Sequence, residues 1–503
     1  MVALEKYSET TNKFLAAVRE NKQDLCMSDG MMYHYEEGAW AVVTRATQDK
    51  LDRLMKEVCD ESNFPYAEKA QQLWRNIKPM LPVVDPEIWD KAGLIALPKG
   101  RTFNPVDQSE TAHDPEHYIQ RRLAFGYDPK AKCPRWHKML DRMVQDKEDP
   151  ETREEIKTYL QCFFGMAIVG YRFETSRAMR KMLILDGPTG TAKTTVSEVL
   201  RVLLGKGRVA TDNVDQLSSR FGMSSVVGAL AIISDDAVGE KTRIRADVFK
   251  QLITGEPMTA DRKGRDLVSF RFHGPILFTA NQLPAVSDAT AAFHDRTTVI
   301  TLTYQFTPED QAETLEGYRT PVELLTAKKE FPGILQWALQ GLHKVKEMGR
   351  MPSVKEAIES SKEWRTRDDA VYNFLTEYCR HKTGVANYPL PLAAAIAVFA
   401  ETQYGSREYT TTRVSNTLGR TIHITIPGVT RGKRQLWKQQ LRCYNNIEIL
   451  EPGLKYVAMA RERGLLPNDF QVNERNLGDE PPSSVVSLRK SPPSSKSARR
   501  SLS

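Results

Sequence analysis

The chain has few cysteines and no long hydrophobic run, and both shortages exclude classes of protein. Its 503 residues contain six cysteines, which are scattered and form no Cys-x-x-Cys pair. This spacing argues against a disulfide framework or a zinc ribbon, so we expect free, buried thiols. The best apolar runs, residues 163–170 and 392–400, are much shorter than the ~20 residues that span a bilayer. No membrane segment is therefore expected.

The chain also lacks an evenly distributed positive charge. Its net charge is +7, but residues 484–503 carry five basic residues and no acid, which leaves 7 − 5 = +2 for the remainder. The body is thus not a general polycation, and binding to nucleic acid would need local basic patches. The first residues show no secretory signal pattern, which predicts a cytoplasmic protein.

A loop of small residues between a predicted strand and a predicted helix is the most informative motif. The apolar residues 182–185 predict a buried strand, and the spacing in residues 196–200 predicts a helix. A small-residue loop that joins such a strand to a helix beginning at Lys-Thr is typical of a P-loop, whose backbone N–H groups surround the phosphates of ATP. The predicted ATP-binding residues are Gly187, Pro188, Thr189, Gly190, Thr191, Ala192, Lys193, Thr194 and Thr195.

Two residues of this loop have predicted chemical roles, and one departs from the usual pattern. We expect Lys193 to bridge the β- and γ-phosphates and the Thr194 hydroxyl to bind Mg²⁺. Ala192 stands where a P-loop normally has glycine. Alanine is acceptable there if its backbone has right-handed helical torsions. The alternative interpretation is a turn rich in glycine and threonine beside an unrelated lysine.

A pair of acids follows the next apolar strand. Residues 230–234 predict a strand, and Asp235 and Asp236 come directly after it. In P-loop ATPases a strand-end acid helps to bind Mg²⁺ and its neighbour orients the attacking water. We assign Asp235 mainly to the metal and Asp236 mainly to the water, with the order left open. An acidic turn after a strand is the alternative.

Two further polar residues lie next to later strands. Asn281 ends the apolar run 275–280, where its amide would contact the γ-phosphate and the water. Arg296 precedes the strand predicted for residues 297–300, and an arginine there could enter the ATP site of a neighbouring subunit. The alternatives are an asparagine that begins a turn before Pro284 and a surface ion pair between Arg296 and Asp295.

The order of these motifs resembles the superfamily 3 helicases of viruses, phages and plasmids, a branch of the AAA+ ATPases. The chain is similar in particular to the phage- and poxvirus-type primase–helicases, and residues 38–40, 93–97 and 127–136 resemble their N-terminal accessory domain. The resemblance implies an α/β fold, with an AAA+-type P-loop ATPase core, an α+β N-terminal accessory domain and a C-terminal winged-helix-like domain.

The resemblance also implies a division into domains. The expected parts are an accessory domain (1–137), a helical oligomerisation or linker segment (138–175), the ATPase core (176–305), a helical segment (306–366), a winged-helix-like domain (367–460) and a disordered basic tail (461–503).

Two basic stretches are candidates for DNA binding. Residues 249–265 resemble the helix and basic hairpin with which the family lines the pore of its ring, so Arg262, Lys263 and Arg265 would contact DNA phosphates. Lys433 and Arg434 would lie in or beside the wing of the winged helix. A solvated turn and a charged solvent-facing surface are the respective alternatives.

The implied function is that of an ATP- and Mg²⁺-dependent replicative DNA helicase of a phage or mobile element. It would act in the host cytoplasm on single-stranded and forked DNA, as a homohexameric ring that moves 3′ to 5′. Residues 1–130 offer no paired carboxylates in a strand context, so a separate primase or polymerase is expected. The first alternative is an ATP-switched origin-binding initiator or helicase loader without processive unwinding. The second is an AAA+ machine that acts on protein.

Overall fold

The computed structural model describes most of the chain. The described residues are 2–21, 24–172, 176–205, 208–219, 222–235, 243–261, 267–287, 291–367, 370–381, 390–402, 405, 414–415, 418, 422, 426, 429–436, 439–445 and 447–466. They divide into two compact units, Met1–Ser361 and Lys362–Ser503, which are treated separately below.

The first unit begins with three helices and two small antiparallel sheets. The helices pack through an apolar core that includes Phe14, Met55 and Leu73. The predicted hairpin in residues 32–43 is present as two paired strands. The elements are α1 (Val2–Glu20), β1 (Leu25–Ser28), β2 (Met31–Glu36), β3 (Ala39–Val42), α2 (Arg45–Glu61), α3 (Tyr66–Ile77), β4 (Ile95–Leu97), β5 (Arg101–Phe103) and β6 (Glu110–Ala112).

Two helices follow and form the centre of the unit. They are α4 (Pro134–Met143) and α5 (Pro150–Val169). Proline favours the first turn of a helix, so α4 begins at Pro134 and the expected domain boundary after residue 137 lies inside it. From Leu160 to its end α5 is fully buried, and it packs against α12 (Phe331–Met348). Their backbones lie so close that a Cβ on Gly165 would be 2.4 Å from the Ala338 carbonyl oxygen.

A five-stranded parallel sheet forms the core of the second half of this unit, which confirms the expected α/β class. Its three central strands are mostly apolar and almost entirely buried, as expected for a parallel sheet covered on both faces. In spatial order the five strands are β15 (Thr297–Thr301), β7 (Met182–Asp186), β13 (Ile276–Ala280), β9 (Ala231–Ser234) and β8 (Val209–Ala210).

Helices cover both faces of the sheet. Leu183 and Leu185 pack into the large core shared with α5, α12 and α6 (Lys193–Leu204). On another strand, Phe278 meets Phe249 of α8 (Ala246–Thr254) edge to face, with ring centroids 5.6 Å apart. The unit's remaining elements, with the helix that crosses the division, are α7 (Val214–Leu217), β10 (Arg243–Arg245), β11 (Met258–Ala260), β12 (Val268–Phe270), β14 (Ala285–Ser287), α9 (Ala291–His294), α10 (Pro308–Leu315), α11 (Pro321–Ala327) and α13 (Lys355–Arg367).

The second unit is a smaller mixed domain with its own core. Phe374, Val398 and Tyr444 are among its fully buried side chains. Two short sheets are formed, with strand orders β16-β20 and β17-β19-β18. The elements are α14 (Ala370–Tyr378), β16 (Cys379–His381), β17 (Leu390–Pro391), α15 (Leu392–Glu401), β18 (Thr430–Leu436), β19 (Gln439–Asn445), β20 (Ile447–Ile449) and α16 (Glu451–Glu462).

The structure bears on two of the expected absences. All six cysteines are buried, and their thiols are not part of any disulfide within the described residues, as the sequence predicts. Within the described ranges, no helix combines the length and the apolar character needed to cross a membrane.

Candidate active site

The predicted phosphate loop connects the central strand β7 to helix α6. Gly187 follows the strand with φ +140°, a torsion that side chains disfavour, and an added Cβ would lie 1.9 Å from the Leu302 carbonyl oxygen. The loop is held from the other side, because the Phe306 N–H donates to the Gly190 carbonyl over 2.9 Å. The loop therefore requires glycine at its first position and is fixed by the chain that follows β15.

Ala192 does not have the right-handed torsions that would make alanine unstrained at this position. The residue lies immediately before α6 with φ 64° and ψ 15°, which is the left-handed region rather than the right-handed helical one. A non-glycine residue there costs about 1–2 kcal/mol. The loop must turn sharply to direct its N–H groups inward, and this explains why the usual motif has glycine here. The condition under which alanine would be unstrained here, right-handed helical torsions, is therefore not met.

The Lys193 ammonium is buried and contacts the loop itself. It donates to the carbonyl oxygens of Gly187 over 2.6 Å and of Pro188 over 2.7 Å. It also donates to the Asn281 side-chain oxygen over 3.2 Å. Lys193 and Asn281 are 88 residues apart in sequence, yet the structure brings these two predicted residues together.

The order of the strands in the sheet explains why Lys193 and Asn281 are in contact. Strand β13, which ends just before Asn281, lies directly between β7 and β9. All three strands are parallel, so their carboxyl ends share one edge of the sheet. That edge of an open α/β sheet is where ligands bind. Lys193, Asn281 and Asp235 are therefore gathered by the topology alone.

Asp235 lies at this edge but already has strong partners. Its carboxylate accepts hydrogen bonds from Ser197 Oγ, over 2.6 Å, and from the Arg201 guanidinium. The pair is largely buried, with the Arg201 and Asp235 side chains 16% and 26% exposed. Arg201 is fixed in turn by the Ile233 carbonyl oxygen. Asp235 could assist a metal in two ways. Arg201 could give up its hydrogen bond to one Asp235 oxygen, or a water could bridge the Asp235 carboxylate and the metal.

Ser197 and Arg201 were missed by the motif analysis, although the sequence carried a signal. Lys193, Ser197 and Arg201 are spaced by four residues, so they share one face of α6. The neighbouring positions 196, 199, 200 and 203 are apolar and buried. A polar row on the sheet-facing side of an apolar helix needs partners in the interior, and Asp235 is that partner.

A cavity of about 310 Å³ opens beside the loop. One side consists of loop residues and Asn281, and the other is formed by helices and the segment before α10. Apolar groups from Met139, Phe306, Leu315 and Pro321 supply the second wall. Thr314 also lines it, and its buried hydroxyl has no hydrogen-bond partner among the described residues. One end of the cavity is therefore lined by the predicted phosphate loop and the other end is apolar, a combination that suits a nucleotide.

The site is also compatible with Mg²⁺. Thr194 is exposed and lines the cavity, so its hydroxyl is open to a metal ligand sphere. No cluster of three or more metal-binding side chains was found in the described part of the chain. Mg²⁺ usually keeps several waters and takes only one or two protein ligands plus phosphate oxygens. Thr194 with Asp235 nearby fits that pattern.

Arg296 lies away from this cluster. It directly precedes β15, at the level where Thr297 pairs with Met182, whereas the phosphate loop follows the other end of β7. Five residues of strand separate the two ends, about 15 Å. The structure therefore does not bring Arg296 to the Lys193 site of its own chain. The Asp295 carbonyl oxygen accepts a hydrogen bond from Lys181.

Asp236, Arg262, Lys263 and Arg265 lie outside the described residues. The strands on either side of the predicted DNA hairpin are nevertheless present, since β11 and β12 pair antiparallel with Thr259 opposite Ser269.

The second predicted DNA-binding pair lies in a strand of the second unit, where the backbone register gives its position. Lys433 and Arg434 belong to strand β18, where they pair with Arg442 and Leu441 of β19. The two strands form a basic antiparallel ribbon in the second unit. Of the predicted disordered tail (461–503), residues 461 and 462 belong to α16 and Leu466 is buried, whereas positions 467–503 lie outside the described residues.

Comparison with known proteins gives two family matches. Residues 16–145 match the family described as D5 N terminal like. Residues 185–296, which include the phosphate loop, Asn281 and Arg296, match a family of unknown function. No curated protein matches the chain.

Among solved structures, the chain is similar to two apo forms of the NrS-1 C-terminal region. Both are 12% identical and both alignments cover 86% of this chain and 98% of the other, with TM-scores of 0.42 and 0.40.

The fold and one of the two family matches each support a coarse statement about this chain. The parallel five-stranded sheet is consistent with a nucleotide-binding α/β core. The match over residues 16–145 supports a relation of this chain to the phage primase–helicases.

Proposed function

We propose that the chain is an ATP-dependent DNA helicase of phage-type replication, with an AAA+-type P-loop core and a winged-helix-like second unit. The observation that carries the proposal is the contact between Lys193 and Asn281 at the carboxyl edge of the parallel sheet. This contact joins Lys193, which would bind the terminal phosphate, to Asn281, whose contacts would change when that phosphate is cleaved. The cavity beside it has room for the rest of the nucleotide.

The residues of the chain would act as follows. The N–H groups of residues 187–192 and the N-terminus of α6 favour phosphate oxygens. Lys193 would exchange the Gly187 and Pro188 carbonyl oxygens for phosphate oxygens, which carry more negative charge. Asn281 would then be released from Lys193 to orient the attacking water. Bound Mg²⁺ would supply charge neutralisation at the β- and γ-phosphates, with Thr194 as its protein ligand.

The DNA-binding part of the proposal depends on the hairpin β11–β12. Helix α8 leads through Gly255, which ends it in a left-handed conformation, directly into β11. Lys263, at the predicted tip, would contact a backbone phosphate. Contacts of this kind give affinity without sequence preference and weaken as salt rises. A hexameric ring, 3′ to 5′ movement and a separate primase or polymerase belong to the same proposal.

The test is ATP hydrolysis and strand separation on a forked DNA substrate. Lys193→Ala should lower both by about 10²–10³-fold, because one preorganised charge at the reacting phosphate is removed. Lys13→Ala is the matched control, since this lysine is exposed and its ion-pair partner Glu9 lies one turn away on the same helix. Unwinding at the unmodified rate in Lys193→Ala would refute the proposal.

A second variant separates the motor from a switch. Lys263→Ala should keep basal ATP hydrolysis and lose strand separation. If the unmodified chain hydrolyses ATP and binds forked DNA but never separates it, the chain acts as an initiator or loader. ATP hydrolysis that DNA does not stimulate would favour a machine acting on protein.

A further inference from the structure

A second cavity lies between the N-terminal region and the parallel-sheet region of the first unit. It has a volume of about 50 Å³ and is separate from the phosphate loop. We call it the arginine cavity, because its charged lining consists of Arg121, Arg172 and Arg271 with Asp29 and Asp90; His273 also lines it. These residues come from distant parts of the sequence and none belongs to the proposed ATP site.

Arg121 is the most enclosed of the three guanidiniums. Its side chain is 6% exposed, as is that of Asp90, and Arg121 Nε lies 3.6 Å from an Asp90 oxygen. That distance is too long for a hydrogen bond, and the buried Nε has no hydrogen-bond partner among the described residues. One other nitrogen donates to the Ala167 carbonyl oxygen over 2.9 Å. The Nε–H donor of the charged Arg121 guanidinium is therefore buried without a hydrogen bond among the described residues.

The other two arginines approach the cavity from its walls. Arg172, which follows α5, is half-buried and donates to the Pro86 carbonyl oxygen. Arg271 follows β12 and lies at the rim, where it donates to the Gly255 carbonyl oxygen and approaches Glu87 at 3.4 Å. Each guanidinium has five N–H donors, so these contacts leave donors available on both.

His273 adds a polar group whose two nitrogens are unused. Both ring nitrogens are buried and neither has a hydrogen-bond partner among the described residues. Burial, reinforced by the nearby arginines, lowers the pKa of His273 to about 3. The ring is therefore neutral at physiological pH, and it can donate one hydrogen bond without adding another positive charge.

The charges of the lining do not balance. Three guanidiniums and two carboxylates line the cavity, and a third carboxylate, that of Glu87, pairs with Arg271 at the rim. Arg208, whose pKa is lowered chiefly by burial, adds a further positive charge near Asp90 and Arg121. Arginine cannot lose its proton to relieve the imbalance. An uncompensated charge in the interior is costly, and a bound anion would neutralise it.

The cavity is large enough for a small anion. A single water needs about 10–15 Å³, and the cavity of about 50 Å³ has room for a small polyatomic anion. A tetrahedral oxyanion has four oxygens, and arginine binds such groups well because its planar fork matches their geometry.

We propose that the arginine cavity binds one tetrahedral oxyanion of the phosphate type, held by Arg121, Arg172, Arg271 and His273. The bound anion would connect Arg121, in the region that matches the D5 N terminal like family, to Arg271 and His273 beside the sheet. Free inorganic phosphate and the terminal phosphate of a nucleic acid strand share this chemistry.

The experiment is a binding titration with inorganic phosphate on the full chain carrying Lys193→Ala, which removes the principal side-chain cation of the phosphate loop. One phosphate per chain should bind. Adding Arg172→Gln should weaken binding about tenfold or more, because charge-assisted hydrogen bonds are lost. Arg101→Gln is the control, since that arginine is exposed and pairs with Glu110 elsewhere; it should change the affinity less than twofold.

A replacement variant and a competition measurement complete the test. If Arg172→Gln does not fold, Arg271→Gln replaces it, because the Arg271 side chain is 42% exposed at the rim. Competition by a 5′-phosphorylated oligonucleotide, but not by its 5′-hydroxyl form, would identify a strand end as the source, and no competition by either would identify the free anion. No phosphate binding, or equal binding in the arginine variants and the control, overturns the proposal.

Discussion

The two positively charged cavities of the first unit obtain their charge in different ways. The phosphate loop uses nine consecutive residues, 187–195, and its charge comes from backbone N–H groups, a helix end and one lysine. The arginine cavity uses side chains from separate segments, and its backbone contributes carbonyl oxygens that hold the arginines, at Ala167, Pro86 and Gly255.

This difference determines which amino-acid substitutions each cavity tolerates. A site built from backbone depends on φ and ψ, so it should be sensitive to adding a Cβ. A site built from buried guanidiniums depends on charge balance, so it should be sensitive to removing one carboxylate. Substitutions that change one property and not the other can therefore test the comparison.

The largest effect is expected for Asp90→Asn in the arginine cavity. Asparagine keeps the shape and tolerates the positive φ of 52° at this position, so only the charge is lost. Leaving Arg121 buried without its counter-ion should lower the free energy of unfolding by about 3–5 kcal/mol. Chemical denaturation measures it, and added phosphate should restore part of the loss.

Glu37→Gln is the matched control for Asp90→Asn. Glu37 pairs with Arg122, but the Glu37 side chain is 72% exposed, and exposed pairs contribute little. A loss in Glu37→Gln as large as that in Asp90→Asn would contradict the role given to burial.

A backbone substitution should have the next largest effect. Gly187→Ala places a Cβ 1.9 Å from the Leu302 carbonyl oxygen at φ +140°. Strain and displacement of the strand end should reduce stability by about 2–4 kcal/mol and abolish ATP hydrolysis. Gly190→Ala is the control, because φ is +87° but nothing lies within 4 Å of the added Cβ; only the backbone term of about 1 kcal/mol should remain. Equal losses would show that contact with Leu302 is unimportant.

The pH dependence of stability tests the electrostatics around His273. Its pKa is about 3 in the folded chain, lowered by burial and by Arg172, Arg180, Arg271 and Arg121, against 6.5 as the ordinary value. The unfolded chain therefore binds the proton first, and stability falls as pH drops from 6.5 toward 3. The expected contribution is a loss of about 1.5 kcal/mol between pH 6.5 and 5.

His273→Gln should remove this part of the pH dependence. Denaturation curves of both proteins at several pH values isolate it, because all other histidines are shared. Parallel curves for the two proteins would show that His273 is not the group responsible.

The smallest effect is expected for Ala192→Gly. Glycine adopts the left-handed conformation at little steric cost, so the free energy of unfolding should rise by about 0.5–1 kcal/mol, offset in part by the flexibility of glycine in the unfolded chain. Ala67→Gly, at an exposed position in α3, should lower it by a similar amount. If both substitutions destabilise equally, Ala192 is not strained.

The same difference explains what could be predicted from the sequence. The strand–loop–helix around residues 187–195 is contiguous, so its pattern is readable directly. Asn281 could be assigned to the same edge because the carboxyl ends of parallel strands meet there. The α/β class followed from alternating apolar strands and helices, and the small N-terminal hairpin followed from its residue alternation.

The remaining features depend on contacts that no local pattern records. The pairing of Arg201 with Asp235 could be predicted only if the distance between the polar face of α6 and the end of β9 were known. The left-handed torsion at Ala192 is set by the whole loop, and it contradicts the local preference of alanine. Thr314 and the arginine cavity arise where distant segments pack together. A single sequence shows the residue types in these places but not that they meet.

The position of Arg296 has a consequence for how catalysis would respond to dilution. Since it stands at the amino edge of the sheet and Lys193 at the carboxyl edge, one folded copy cannot use both for the same nucleotide. If Arg296 completes the proposed ATP site, turnover is a shared property of adjoining copies. Specific activity should then rise with protein concentration, and mixing a Lys193→Ala chain with an Arg296→Ala chain should restore turnover that neither shows alone.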